Sequence, residues 1–290
     1  MVGTTSLDEP SFENMNESDR KRVAIAVPLS FQNNFSEIEE TSLKHLNHFL
    51  GEYDRFSMVP QSVDFELEGC RTLKFPDKYF GSADNHSKHL MSEELYRTFE
   101  DYEYLLIYHL DALVFSDDLL KWCDAGWDYI APPWFPNQQT EWVKKPDVGN
   151  GGFSLRKIKS FLQLITTTDF HLSPEEYQAY HNSGFTHFTG LSRFRKRYLK
   201  SLRFLHTSKW DILLDYQMPK KPMGNEDVFW GMLASKYNPD FKVAPVDQAV
   251  HFGFEAIPRH CFEMTHGQLP FGCHAWQKYD RPFWEPYLLK

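Results

Sequence analysis

The chain has 290 residues, 24% charged and 41% hydrophobic, a globular composition long enough to bury a core without disulfides, which excludes disordered and collagen-like chains. Its 47 aromatic residues (25 Phe, 14 Tyr, 8 Trp) outnumber its 40 acids, so large rings must fill a heavy core, a cleft or both. The formal net charge of −9 argues against a nucleic-acid partner. Residues 1–20 are polar, with no apolar leader, and predict a flexible tail. Residues 23–30 (VAIAVPLS) predict a buried strand. Ser36 and Glu39 form a capping box before a helix carrying Ile38, Ser42, Leu46 and Phe49 and ending near Gly51. Residues 55–60 predict a second strand, so the chain opens β-α-β, with a nucleotide-sized crevice at the strand ends. Residues 75–92 predict a loop, 91–102 a helix and 102–115 the strongest strand in the chain. Ser116, Asp117 and Asp118 predict the cap of a further helix. A short strand at 128–134, a glycine-rich turn entering a strand at 147–156 and a helix at 157–165 follow. Ser173 to Glu176 is another capping box, with Pro174 at the first helical position. A helix over 225–237 capped by Asn225, a strand over 242–254 and an aromatic, proline-rich tail at 270–288 complete the order.

No run approaches the ~20 apolar residues of a membrane span. The four cysteines (Cys70, Cys123, Cys261, Cys273) make no CxxC pair, so a reduced, cytoplasmic chain is expected.

Five groups of residues bear on chemistry. Period-two geometry places His109 and Asp111 on one face at the end of the strongest strand. A carboxylate there can hold a divalent cation or a ribose hydroxyl; the plain alternative is a loop anchor or helix cap. Gly149-Asn150-Gly151-Gly152 allows a ligand close to backbone amides but matches neither a Rossmann nor a P-loop spacing, and taken alone a tight turn is the better account of it. Glu226 and Asp227 are adjacent acids at a helix start, stabilised by the helix dipole or serving as a general base. The set His251, His260, Cys261, His266, Cys273 and His274 is too irregular for a zinc finger, but a single histidine near Gly272 can complete a metal site begun by Asp111. Finally, residues 193–221 hold nine Lys/Arg and two Asp, a local +7. Within them Phe194, Tyr198, Leu202 and Leu205 share one helical face, largely opposite Arg193, Lys196, Arg197, Lys200 and Arg203. This suits docking on an anionic membrane, beside the alternatives of a solvated helix or a phosphate-binding patch.

Four strings in order resemble a glycosyltransferase-like family catalogued as a domain of unknown function: residues 102–134, VGNGGFSLRK (148–157), NEDVFWG (225–231) and PFGCHAWQKYD (270–280). The resemblance spans most of residues 23–288, and the family is similar to GT-A glycosyltransferases. It implies an α/β fold, a single GT-A-like (Rossmann-like) domain over residues 21–290 with a mixed, mostly parallel central sheet and flanking helices. It implies transfer of a sugar from a nucleoside-diphosphate sugar, with a UDP-sugar favoured, to a hydroxyl on a glycan or lipid-linked glycan. On this pattern Val27 and Pro28 bed the nucleobase, and Asp111, Asn150, Gly151 and Gly152 contact the donor. Asp227, beside Glu226, is the catalytic base of an inverting reaction. Asp111 and His274, with His109, hold Mn2+ or Mg2+. One departure stands out: Leu113 occupies the second acidic position of the DxD motif. Either His109 or His274 compensates, or Lys and Arg of the basic segment neutralise the leaving diphosphate.

Trp134, Trp230 and Trp276 are candidates for stacking on sugar faces. A sugar nucleotidyltransferase is disfavoured, because PLSFQNNFS after the first strand contains neither Gly nor a base. A retaining transferase stays open, as does a carbohydrate-binding protein on a degenerate transferase fold, which Leu113 favours. The expected location is cytoplasmic, at the inner membrane face through the basic segment.

Overall fold

The structure is a computed structural model and describes residues 21–31, 34–137, 143–166 and 225–289. The expected tail at 1–20, the capping box at Ser173 and the basic segment 193–221 lie outside these residues.

Strand β1 (Lys21–Pro28) leads into helix α1 (Glu37–Leu50). Its capping box is formed as expected: Ser36 Oγ accepts the Glu39 N–H, and the Glu39 carboxylate accepts the Ser36 N–H at 2.8 Å. Next come β2 (Asp54–Pro60), β3 (Arg71–Phe75), α2 (Ala83–Leu90), α3 (Glu93–Thr98) and β4 (Tyr102–Tyr108). The chain continues through β5 (Leu113–Val114), α4 (Leu119–Asp124), β6 (Tyr129–Ile130), β7 (Pro133–Trp134), β8 (Asp147–Val148), β9 (Phe153–Lys157) and α5 (Ile158–Thr166). After residue 225 follow α6 (Glu226–Met232), α7 (Ala234–Tyr237), α8 (Val246–Phe252), β10 (Gly253–Phe254), α9 (Pro258–Met264), β11 (Gly272–Cys273) and α10 (Trp276–Trp284).

The main sheet has the order β3-β2-β1-β4-β9-β6. β1 pairs in parallel with β2 and β4, and β2 with β3, while β9 runs antiparallel to both β4 and β6. This is the mixed, mostly parallel α/β sheet that the resemblance implies. Val23–Val27 of β1 and Tyr104–Tyr108 of β4 are all buried. Strands covered on both faces need apolar residues at every position rather than at alternate ones, so both read as continuous apolar runs. The strand order reverses between β1 and β4, and ligands of open α/β sheets bind at the carboxyl ends of strands at such a reversal.

Several elements differ from the sequence expectation. Within the stretch expected as a loop (75–92), residues 83–90 form helix α2, and β3, which carried no expectation, ends at its first residue; α2 buries Ser87, His89 and Leu90, a polar set with no apolar periodicity to announce it. The strand expected over 102–115 ends at Tyr108, and the chain turns at His109–Ala112, closed by the Ala112 N–H donating to His109 O at 2.9 Å, before β5 joins a different sheet. The helix of 119–124 has Asp118 at its cap position with no side-chain capping bond. The helix of 225–237 breaks at Leu233, and Asn225 makes no capping bond. The strand expected over 242–254 is mostly helix α8, which starts after Pro245 and carries Asp247 in its first turn.

A small sheet of order β10-β11-β5 completes the part of the fold that matters for the site. Phe254 pairs in parallel with Cys273, and Cys273 pairs antiparallel with Leu113. The residues leaving β10 and β11 and those entering β5 therefore share one edge: Glu255, His274 and the turn containing Asp111. Among the described residues, no helix is long and apolar enough to cross a membrane.

Candidate functional site

A cleft of about 450 Å³ opens at the reversal between β1 and β4. Pro28, Leu29 and Ser30 leave β1 on one side, His109, Leu110 and Asp111 leave β4 on another, and Tyr79 to Ala83 with His86 form a third wall. Val27 is absent from this lining; it is fully buried within β1, so the cleft wall begins at Pro28.

At the inner end of the cleft, the edge of the small sheet gathers polar groups. Asp111 Oδ1 lies 3.2 Å from His274 Nε2, and His274 Nδ1 lies 3.0 Å from Glu255 Oε1. Glu255 Oε2 accepts the Trp134 indole N–H at 2.8 Å. Asn150 Nδ2 also approaches His274 Nδ1 at 3.0 Å. Its Oδ1 accepts the Gly152 and Phe153 N–H groups at 2.9 and 3.0 Å, which leaves the amide nitrogen facing His274. One ring nitrogen cannot accept from Asn150 and donate to a carboxylate together. Because Glu255 only accepts when ionised, Nδ1–H belongs to Glu255.

Gly152 sits where this set meets His109. A Cβ on it would overlap His274 Nε2 and stand 2.7 Å from His109 Nδ1, so only glycine leaves those two nitrogens a common hollow. The Gly152 carbonyl also accepts the His109 N–H at 2.7 Å. Ligand atoms of His109, Asp111 and His274 all lie within 4.8 Å of one another. His274 Nε2 is buried, and its polar neighbour is the Asp111 carboxylate at 3.2 Å, short of good hydrogen-bond geometry. A buried ring nitrogen facing a carboxylate, a hollow that a Cβ would fill and a two-imidazole, one-carboxylate donor set fit a divalent cation. Burial opposes charge on His274, but Asp111 and Glu255 outweigh it and push its pKa up to about 10, so without a cation both ring nitrogens carry hydrogen, and a cation would take the place of the one on Nε2. Burial likewise would raise the Asp111 carboxyl, yet His274 beside it holds it well below the usual carboxylate range. His109 is driven the other way by burial and by its histidine neighbours, and is neutral at ordinary pH.

The third part is the start of α6. Glu226 is buried and pairs with the fully buried Arg156 of β9 at 3.0 Å. Arg156 also donates to Tyr96 Oη and Ser154 Oγ, both at 2.9 Å, and Ser87 Oγ of α2 donates to Glu226 at 3.3 Å. Gly151 lies against the Glu226 carboxylate with no room for a side chain. Asp227 next to it is half-buried and accepts the Val228 N–H at 2.8 Å. Burial first, then the charges of Glu226 and Glu255, push the Asp227 carboxyl up to about 7.

Residues 69–274 match the model of a family described as a protein of unknown function, DUF5672. The chain belongs to the DUF5672 family. No curated protein matches it. Solved structures similar to the DUF5672 chain include the apo form of the glycosyltransferase GlyE of Streptococcus pneumoniae TIGR4, with 11% identity and a TM-score of 0.40 over 93% of this chain and 61% of GlyE. The chain thus spans less than two thirds of GlyE's length. A glycosyltransferase involved in glycosylating the major capsid of PBCV-1 is 11% identical, with a TM-score of 0.37 over 92% of this chain and 98% of its own. The mannosyltransferase Ktr4p of S. cerevisiae, solved with GDP, is 11% identical, with a TM-score of 0.33 over 62% and 66% of the two chains.

Of the residues singled out from sequence, the DUF5672 chain brings His109, Asp111, Asn150, Gly152 and His274 together at the inner end of the cleft. Gly151, Glu226 and Asp227 gather at the start of α6. Trp230 and Trp276 are buried core rings, and Trp134 is buried with its N–H committed to Glu255, so none presents a face for stacking. Leu113 is fully buried in an apolar cluster with Cys273, Trp276 and Trp284. Glu255, His86, Ser87 and Arg156 are site residues that sequence reasoning missed. For Arg156 a signal exists: a base that follows the apolar run of β9 and falls on its buried face demands a buried acid.

Proposed function

We propose that this chain is a glycosyltransferase that binds a nucleoside-diphosphate sugar, a UDP-sugar first among them, in the cleft between β1 and β4 and passes the sugar to a hydroxyl on a glycan or glycolipid. The observation that carries this is one continuous feature: a cleft of nucleotide size at the strand-order reversal, ending in the His109, Asp111 and His274 donor set. Those three side chains would hold a divalent cation, which when bound supplies positive charge to a leaving diphosphate. Among the described residues no Lys or Arg lines the cleft, and the basic segment that would supply the alternative lies outside them.

With a cation bound, Glu255 would keep the remaining hydrogen of His274 on Nδ1 and leave Nε2 for the cation, beside Asp111 and the Gly152 hollow. Asn150 holds the glycine turn in shape through its two backbone N–H contacts. Asp227 removes the acceptor proton as the acceptor oxygen bonds to the anomeric carbon and the bond to the diphosphate breaks, with inversion. Glu226, paired with Arg156, acts through Asp227 as a positioning residue by adding negative charge beside it.

The test is a thermal-shift panel of UDP, GDP, CDP and ADP with manganese, magnesium or EDTA, followed by turnover of the nucleotide-sugar it selects. One diphosphate should raise the melting temperature only with metal, because a ligand of the native state stabilises it. Asp227→Asn should keep that shift while lowering turnover about 100-fold or more. No shift under any condition overturns the reading. A shift with unchanged turnover in Asp227→Asn removes Asp227 as base, and a shift without any transfer points to the binding-protein alternative.

A further inference from the structure

His86 stands outside the three-residue donor set, on α2, and its Nε2 lies 2.8 Å from His109 Nε2. The rings are tilted at 60° with centroids 4.7 Å apart, so the contact is edge to edge through the nitrogens rather than stacked. Two neutral imidazoles at that distance share one hydrogen: one ring donates and the other accepts. The choice decides which nitrogen of His109 carries a lone pair. If His109 Nε2 holds the hydrogen and gives it to His86, Nδ1 is bare and faces the Gly152 hollow. If His86 donates instead, His109 Nδ1 carries the hydrogen into the same hollow that His274 Nε2 faces.

The neighbouring histidine shows the same construction. His274 has its outer nitrogen occupied by Glu255 and its inner nitrogen facing Asp111 and the Gly152 hollow. Outer partners of this kind fix the tautomer and orientation of ligating histidines. α2 is well placed to do so, because it is anchored on either side of His86: Ser82 Oγ caps it at the Asn85 N–H, Ser87 contacts Glu226, and the Leu90 carbonyl accepts from Tyr96 at 2.7 Å.

We infer, resting only on the cation-binding part of the reading above, that His86 is a positioning residue that turns His109 Nδ1 into a second nitrogen ligand, giving a site that takes a transition-metal dication in preference to Mg2+. Mg2+ prefers oxygen ligands and sheds water reluctantly, whereas imidazole suits the later first-row dications such as Co2+ and Zn2+, with Mn2+ at the weak end of that series. Leu113 fits this picture: the carboxylate missing from position 113 is replaced by an imidazole reached from α2 and β4 rather than by another acid.

The experiment is calorimetric titration of the full chain with Co2+, Mn2+ and Mg2+ in the absence of nucleotide, with the visible absorption of bound Co2+ as a record of nitrogen ligation. Co2+ should bind at least about 10-fold more tightly than Mg2+. His86→Leu, which removes the acceptor, should weaken Co2+ about 10- to 100-fold and shift the cobalt spectrum, whereas His86→Gln, whose amide oxygen can still accept, should restore most of the affinity. Equal affinities for Co2+ and Mg2+, or an unchanged Co2+ affinity in His86→Leu, overturns the inference. Nitrogen-15 NMR of histidine-labelled wild-type protein tests it without any variant: His109 should carry its hydrogen on Nε2, and a hydrogen on Nδ1 overturns it. Cobalt binding as described in a chain that binds no nucleotide would sustain this inference while the transferase reading fails.

Discussion

An aspartate in water gives up its proton at about pH 4. At Asp227 burial opposes the charge and the carboxylates of Glu226 and Glu255 repel it, so the group titrates at about 7. A base works best when its pKa lies near the working pH. The carboxylate form exists above that value, so kcat/KM is expected to climb with pH through about 7 and then level off. A profile that stays flat from roughly pH 5.5 to 8.5 would take Asp227 out of the role. At this scale, the residues legible in the sequence are those whose chemistry and motif coincide: Asp111, Gly152, Asp227 and His274. Glu255 and His86 are not legible, because each acts through a contact with one histidine and comes from a segment without a pattern of its own.

Helix α2 and strand β3 are the elements that sequence patterning misses, and the reason is what they bury. β3 has a single buried residue, Phe75, and α2 turns Ser87 and His89 inward with Leu90, so neither shows the periodic apolar face on which a prediction rests. Helix α8 fails differently. Its Val and Phe content resembles a strand, although Pro245 before it and Asp247 in its first turn are helix-start signals. α1 is legible through its formed capping box and β1 through its unbroken apolar run, although β1 spans Lys21–Pro28 rather than 23–30. The contact between β9 and α6 through Arg156 and Glu226 has a measurable weight. Both side chains are nearly inaccessible, at 0% and 4% exposure, so removing one leaves the other charged and buried. Arg156→Met or Glu226→Met alone is expected to cost about 3–5 kcal/mol, and the double variant about as much as one single change or less, because no charge is left stranded. Urea denaturation of the three variants checks this; additive losses would show that the two residues act separately.

Across the whole molecule, stability carries a pH signature set by buried neutral histidine. His89 is fully buried, stacked on Tyr79 at 4.6 Å between centroids, and neither ring nitrogen has a hydrogen-bond partner. Burial, aided by His86, lowers its pKa from 6.5 to about 3. Between those values the unfolded chain binds a proton that the folded chain refuses. The associated stability is therefore complete above pH 6.5 and is lost as pH falls toward 3, amounting to about 5 kcal/mol over the window. His89→Phe keeps a ring against Tyr79 and should flatten the acid limb of stability against pH; an unchanged limb in denaturation midpoints would contradict the assignment. The sheet order is only partly legible at this scale. A β-α-β opening announces parallel strands, but nothing local in FSLRK tells that β9 runs against β4, since direction is decided by where the chain re-enters the sheet. The pairing of Leu113 with Cys273 has a consequence for how this site can change over generations. Replacing Leu113 by an acid would place a charge in an apolar cluster beside Trp276 and Trp284 instead of adding a ligand. A single substitution at position 113 therefore does not restore the two-acid motif, and a heritable change to this polar cluster falls instead on Asp111, on the histidines, or on Glu255 and His86 that contact them from behind.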